Sequence, residues 1–160
     1  MFKCNNCRLC VFPVIYAFYY PILIKYLLTF IYLLVIISIM QQILVVDDDP
    51  DILDALQCVL EDAGYSVITC NDGVYAEELA GEANLPKLII LDVLLSGRDG
   101  REICRKLKTN ERTKRIPIVM ISAQPSAQKS VLASGANTFI PKPFDIINLL
   151  TAVSSQISPS

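Results

Sequence analysis

Hydrophobic positions follow two unlike patterns along this chain. Residues 9–40 are almost continuously apolar, interrupted by Pro13, Pro21 and Lys25. After Met40, short apolar runs alternate with stretches of helical periodicity. Residues 43–46, Ile-Leu-Val-Val, have the all-apolar pattern of a strand buried on both faces. Ile52, Leu53, Leu56, Val59, Leu60 and Ala63 then share one stripe of a helix. Asp49 is placed to cap its start, Pro50 takes the first helical position, and Gly64 stands where a C′ glycine belongs. The same reading predicts strands at 66–70, 88–91, 116–121 and 138–140. It predicts further helices at 74–83, 101–108, 127–134 and 144–155.

Five strands alternating with five helices predict an α/β domain. Its expected form is a five-stranded parallel sheet in a flavodoxin-like (βα)5, doubly wound arrangement, with helices on both faces. In such sheets a site forms beyond the carboxyl ends of the strands, where the strand order reverses. The expected organisation is an apolar leader over 1–40, this domain over 41–155, and a short tail over 156–160.

Composition sharpens the division. The first 40 residues hold 31 apolar residues, three basic ones and no acidic ones. The other 120 hold 11 Lys or Arg against 16 Asp or Glu, which argues against a nucleic-acid binder held by charge. Segment 101–115 carries seven basic and two acidic residues without interleaved aromatics, the pattern of a solvated helix face. The chain has no histidine, which removes Ser-His-Asp hydrolysis, His-ligated metals and a phosphohistidine-donor role. Cys4-x-x-Cys7-x-x-Cys10 lacks a fourth ligand, since Val14 stands where an iron–sulfur run needs one. Cys58, Cys70 and Cys104 lie inside apolar patterns and read as core thiols.

One tilted helix over 21–40 is long enough to span a bilayer. Two objections stand against a working anchor. The first predicted strand begins only a few residues after the apolar run, leaving no linker between bilayer and sheet. Lys3 and Arg8 precede the span, so the positive-inside rule would put the domain outside the cell. A start at Met40, with 1–40 translated from unused upstream sequence, answers both objections; a membrane-tethered domain is the other reading.

The predicted strand ends carry a coherent chemistry. Asp47 and Asp48 follow the first strand, Asp92 the third, and Ser122 the fourth, while Lys142 follows the fifth. Acids near a helix start can simply offset its dipole, which explains Asp49 well and the two carboxylates before it poorly. Carboxylates gathered in one crevice repel unless a cation neutralises them. All-oxygen ligands favour Mg²⁺, and a lysine and a hydroxyl suit phosphoryl oxygens. With no glycine-rich nucleotide cradle, a covalent phosphate on an aspartate fits these residues better than a bound nucleotide.

Four segments carry a family resemblance: ILVVDDD (43–49), LIILDVLLSGRDG (88–100), IVMISA (118–123) and FIPKPF (139–144). In this order and spacing, residues 42–155 resemble the receiver domain of bacterial two-component response regulators. The resemblance implies that Asp92 is the phosphoacceptor, and that Asp47, Asp48 and the Leu94 backbone carbonyl hold Mg²⁺ with it. It implies that Ser122 bonds the phosphoryl group, that Lys142 binds phosphate ahead of a cis bond to Pro143, and that Phe139 is the aromatic switch. The implied partners are a sensor histidine kinase or a histidine phosphotransfer protein. A downstream protein or a second copy would bind the face of helix 4, strand 5 and helix 5. No nucleic acid is expected, the location is cytoplasmic, and a membrane enters only if 1–40 are real.

Departures from the family pattern are few. Ser96 stands where proline is usual, which predicts a more mobile loop, and Leu94 and Gln124 occupy variable positions tied to dephosphorylation rate. With no output domain following, the expected role is a self-modifying signalling module, not a turnover enzyme. A constitutive interaction module of the same fold is the alternative, and the intact acidic set counts against it. An aspartate-nucleophile phosphatase would need a second Asp at position 94, where leucine stands.

Overall fold

The computed structural model describes residues 24–29 and 42–157. The chain divides into two compact units, Met1–Ile39 and Met40–Ser160. Residues 24–29 are helical, and the Thr29 hydroxyl donates to the Lys25 carbonyl at 2.8 Å. Among the described residues, no helix is long and apolar enough to cross a membrane. The remaining expectations for the leader, including Cys4, Cys7, Cys10 and the start at Met40, lie outside the described residues.

In the second unit the main strands are β1 (Gln42–Val46), β2 (Ser66–Cys70), β3 (Leu88–Asp92), β4 (Ile118–Ser122) and β5 (Thr138–Pro141). The helices are α1 (Pro50–Asp62), α2 (Gly73–Glu78), α3 (Gly100–Thr109), α4 (Gln128–Ala133) and α5 (Ile146–Ile157). The five strands form one parallel sheet in the order β2-β1-β3-β4-β5. This is the expected doubly wound α/β arrangement.

The all-apolar runs work because both sheet faces are covered. Ile43, Val45, Leu88, Ile90, Val119 and Ile121 pack with Leu53, Leu56 and Leu60 of α1 and Leu149 and Val153 of α5. Alternate residues Leu44, Val46, Ile89, Leu91, Ile118 and Met120 face Ala76 of α2, Ile103 and Leu107 of α3, and Val131 of α4. A substitution in β1, β3 or β4 therefore opens a cavity whichever face it points to.

α1 starts and stops as its residues dictate. Asp49 caps it by accepting the Asp51 N–H at 2.9 Å, and Gly64 turns the chain at φ +90°. Other boundaries moved, each for a local reason. α2 begins at Gly73 because Asp72 accepts the N–H groups of Val74 and Tyr75. It tightens into a 3₁₀ turn over Leu79–Gly81, where Arg112 donates to the Ala80 and Glu82 carbonyls at 2.6 and 2.7 Å. β4 starts two residues later than its apolar run, since Ile116 donates to Thr113 at 2.9 Å and Pro117 has no N–H. α5 starts after Asp145, whose carboxylate accepts the Ile147 N–H at 2.7 Å, and runs to Ile157.

Two expectations need correction or addition. Of the three described cysteines only Cys104 is a buried core thiol. Cys58 is exposed because it lies off the Leu53-Leu56-Leu60 stripe, and half-buried Cys70 donates its thiol to the Asp72 carbonyl at 3.1 Å. The addition is a two-stranded hairpin, Leu94–Leu95 with Arg98–Asp99, turning through Ser96 and Gly97. Its Arg98 pairs with Glu77 of α2 at 2.9 Å, as Lys106 of α3 does at 3.2 Å.

The basic residues of 101–115 are mostly exposed, as expected of a solvated face, and most of them are also paired within the domain. Lys108 holds the Ile116 carbonyl and the Asn137 side chain, Arg101 holds Asp99 and Ser130, and Lys114 pairs with Glu111.

Candidate functional site

Strand order places the chemistry. β1 lies between β2 and β3, so the connections leaving β1 and β3 diverge to opposite faces and a crevice opens beyond their carboxyl ends. Asp47 follows the last residue of β1 and is fully buried, and Asp92 ends β3 at 5% exposure. Lys142 immediately follows β5. Asp47, Asp48 and Asp92 each offer an oxygen within 4.8 Å of the others'.

Buried carboxylates are tolerated only when paired and hydrogen-bonded. Lys142 supplies the charge, with Nζ 2.6 Å from Asp47 Oδ2 and 3.0 Å from Asp92 Oδ1. Backbone groups engage the other oxygens: the Asp49 N–H donates to Asp47 Oδ1 at 3.0 Å and the Leu94 N–H to Asp92 Oδ2 at 2.8 Å. Burial still holds the Asp92 carboxyl above its ordinary range, against the opposing pull of the Lys142 hydrogen bond and charge. Burial alone would lower the Lys142 ammonium, but its hydrogen bonds to Asp47 and Asp92, and their charges, raise it.

Three carboxylates against one ammonium leave two formal negative charges in the crevice. A divalent cation matches that remainder. The donors are all oxygen, and the group has no nitrogen or sulfur ligand to favour zinc, so its chemistry fits Mg²⁺.

Ser122 is buried at the end of β4, next to the Asp92 register partner Ile121. Its hydroxyl accepts the Gln124 N–H at 3.1 Å, while its carbonyl accepts the Lys142 N–H at 2.7 Å. Fold and hydrogen bonding thus tie β4 to the lysine, and the Lys142–Pro143 bond is cis. Phe139 is half-buried, packed against the core on the α2–α4 side, and lines a groove of about 300 Å³ with Pro143, Phe144 and Asn148. The Leu94 side chain is exposed and apolar beside Asp92.

The structure therefore brings Asp47, Asp48, Asp92 and Lys142 together, and sets Ser122 at the adjoining strand end. Sequence reasoning overlooked one contact. The Ser96 hydroxyl, at the hairpin tip, donates to Asp48 Oδ2 at 2.6 Å. The residue expected to loosen this loop is bonded across the site. The Ser-Gly pair signalled a turn, but nothing in the sequence specified a partner 48 residues away.

Comparison with known proteins gives a consistent picture. Residues 43–154 match the model of the response regulator receiver domain. The DNA-binding dual master transcriptional regulator RpaA of Synechocystis is 40% identical over 120 residues, covering 74% of this chain and 49% of that protein. The chain thus spans about half the length of that relative. Among solved structures, a response regulator from Chloroflexus aurantiacus is 34% identical with a TM-score of 0.69, covering 74% of this chain and 98% of that one. The response regulator TrrA of Thermotoga maritima, solved with Mg²⁺ and BeF, is 27% identical with a TM-score of 0.66. That match covers 73% of this chain and 99% of the other.

Proposed function

The chain belongs to the response regulator receiver family, and from that premise we propose that Asp92 is phosphorylated by a phosphohistidine on a separate kinase or phosphotransfer protein. Receiver domains serve as signalling modules rather than turnover enzymes. The convergence of Asp47, Asp48 and Asp92 on Lys142 in one crevice is the observation that supports the assignment most strongly.

In this reading an Asp92 carboxylate oxygen attacks phosphorus. The new O–P bond forms as the N–P bond breaks, and the imidazole leaves with the electron pair and a proton from solvent. Lys142, already held between Asp47 and Asp92, balances charge on the phosphoryl oxygens. Asp47, Asp48, Asp92 and the Leu94 backbone carbonyl would hold Mg²⁺, which when bound neutralises charge spreading over those oxygens. The buried Asp47 keeps Lys142 aimed into the crevice, so the ammonium needs no search for its position.

In the unmodified state the Ser122 hydroxyl oxygen accepts from the Gln124 N–H; the phosphoryl group then accepts that hydroxyl's hydrogen and draws Ser122 toward Asp92. Movement of Ser122 makes room for Phe139 to turn inward from its half-buried position, biasing the face of α4, β5 and α5 between two states. A downstream protein or a second copy reads that face in the cytoplasm, without nucleic acid. Membrane attachment would require residues 1–40 in the native protein.

The direct experiment is incubation with a small acyl phosphate donor, followed by intact mass. One phosphoryl group per chain is expected with Mg²⁺, and none after chelation. A related prediction concerns the lifetime of the modified state. Leu94 offers no polar group to orient an attacking water, so Leu94→Asn is expected to shorten the phosphate lifetime by about tenfold or more. Decay of the phosphorylated mass with time checks it, and an unchanged lifetime would contradict it.

A further inference from the structure

Three carboxylates make up the proposed metal site, and they are not held alike. Asp47 and Asp92 are buried and fixed by Lys142 and by backbone N–H groups. Asp48 is exposed, and among the described residues its one hydrogen-bond partner is Ser96. We propose that Ser96 is a positioning residue for the metal site: its hydroxyl orients Asp48 so that the three carboxylates are arranged for a divalent cation before it arrives.

The contact is short, at 2.6 Å, and joins a hydroxyl to a carboxylate, the stronger, charge-assisted kind. It is also made by a held residue. The hairpin under Ser96 pairs Leu94 with Asp99 and Leu95 with Arg98. Leu95 is buried in the core and Arg98 is paired with Glu77. Gly97, at φ +75°, makes the turn that presents Ser96 toward β1. A proline at position 96 could donate no such bond.

Engaging one Asp48 oxygen removes rotamer freedom that would otherwise be lost at binding. Outer partners that orient ligands commonly change metal affinity by about 10-fold or more. The proposal rests on the reading of Asp47, Asp48 and Asp92 as a Mg²⁺ site, and the test separates the two.

Mg²⁺ is titrated into the metal-free full chain by calorimetry, with melting temperature recorded without metal. Ser96→Ala is expected to raise the Mg²⁺ dissociation constant by about 10-fold at an unchanged metal-free melting temperature. Ser96→Thr, which keeps the hydroxyl, is expected to stay within about twofold of wild type. In an Asp48→Ala background, Ser96→Ala is expected to add nothing, because its action runs through that side chain. Ser96→Ala binding as tightly as wild type or tighter would overturn the proposal while leaving the metal site standing. An equal loss in the Asp48→Ala background would overturn it too. Failure of wild type to bind Mg²⁺ would overturn the metal reading and this proposal together.

Discussion

Asp92→Asn is expected to reduce phosphoryl incorporation by at least about a hundredfold, because the amide has no carboxylate oxygen to attack phosphorus. The loss should be clean. Asp92 is nearly buried, and burial already disfavours its charged form, so a neutral side chain of the same shape fits the space. Lys142 keeps its 2.6 Å partner in Asp47, and the fold retains that buried ion pair. Intact mass after treatment with an acyl phosphate donor and Mg²⁺ reads the effect. Persistent single phosphorylation of the variant would move the acceptor to another carboxylate, with Asp47 and Asp48 the neighbours to examine.

The second large effect is structural and comes from Gly100. This residue opens α3, and its N–H donates to the Val93 carbonyl at 2.9 Å, closing the hairpin loop back onto β3. A Cβ placed there would collide with the Asp92 carbonyl oxygen and lie 3.2 Å from the Val93 Cα. Both obstacles are backbone atoms of the strand end that carries the acceptor, so no side chain can swing aside to relieve the contact. Gly100→Ala is therefore expected to cost about 3 kcal/mol of stability. Urea unfolding measures it, and slower phosphorylation should accompany it because the strain falls on Asp92. A loss under about 0.5 kcal/mol would show that α3 can retreat from β3 freely.

The central strands β1, β3 and β4 were legible because they are largely apolar runs with no competing period, and the fold class follows from strand–helix alternation. Helix ends were less legible. Asp72 and Asp145 each cap a helix, yet apolar periodicity began one residue late at Val74 and two early at Phe144. The end of α2 depends on Arg112, a residue from beyond β3, so its stop was not a local property. The hairpin at 94–99 is too short for a periodic signal, and it gathers residues read from the sequence only as a loop.

The acidic set could be read from strand ends, since a parallel sheet brings successive carboxyl ends to one edge. What could not be read was how each carboxylate is held. Lys142 spans Asp47 and Asp92 across three strands, and Ser96 reaches Asp48 from a hairpin tip. Those are tertiary contacts between residues far apart in sequence, and no spacing rule encodes them.

The central claim is that Asp92 and its neighbours form a working, Mg²⁺-dependent phosphoryl site that switches the α4–β5–α5 face. The most direct measurement is titration of the full chain with beryllofluoride, a stable stand-in for the phosphoryl group, with and without Mg²⁺, followed by backbone amide NMR shifts. The account predicts saturable changes only when Mg²⁺ is present, beginning at Asp92 and Leu94 and extending to Ser122, Phe139 and α4. No Mg²⁺-dependent change at Asp92 would contradict it and make this chain a constitutive interaction module of the receiver fold.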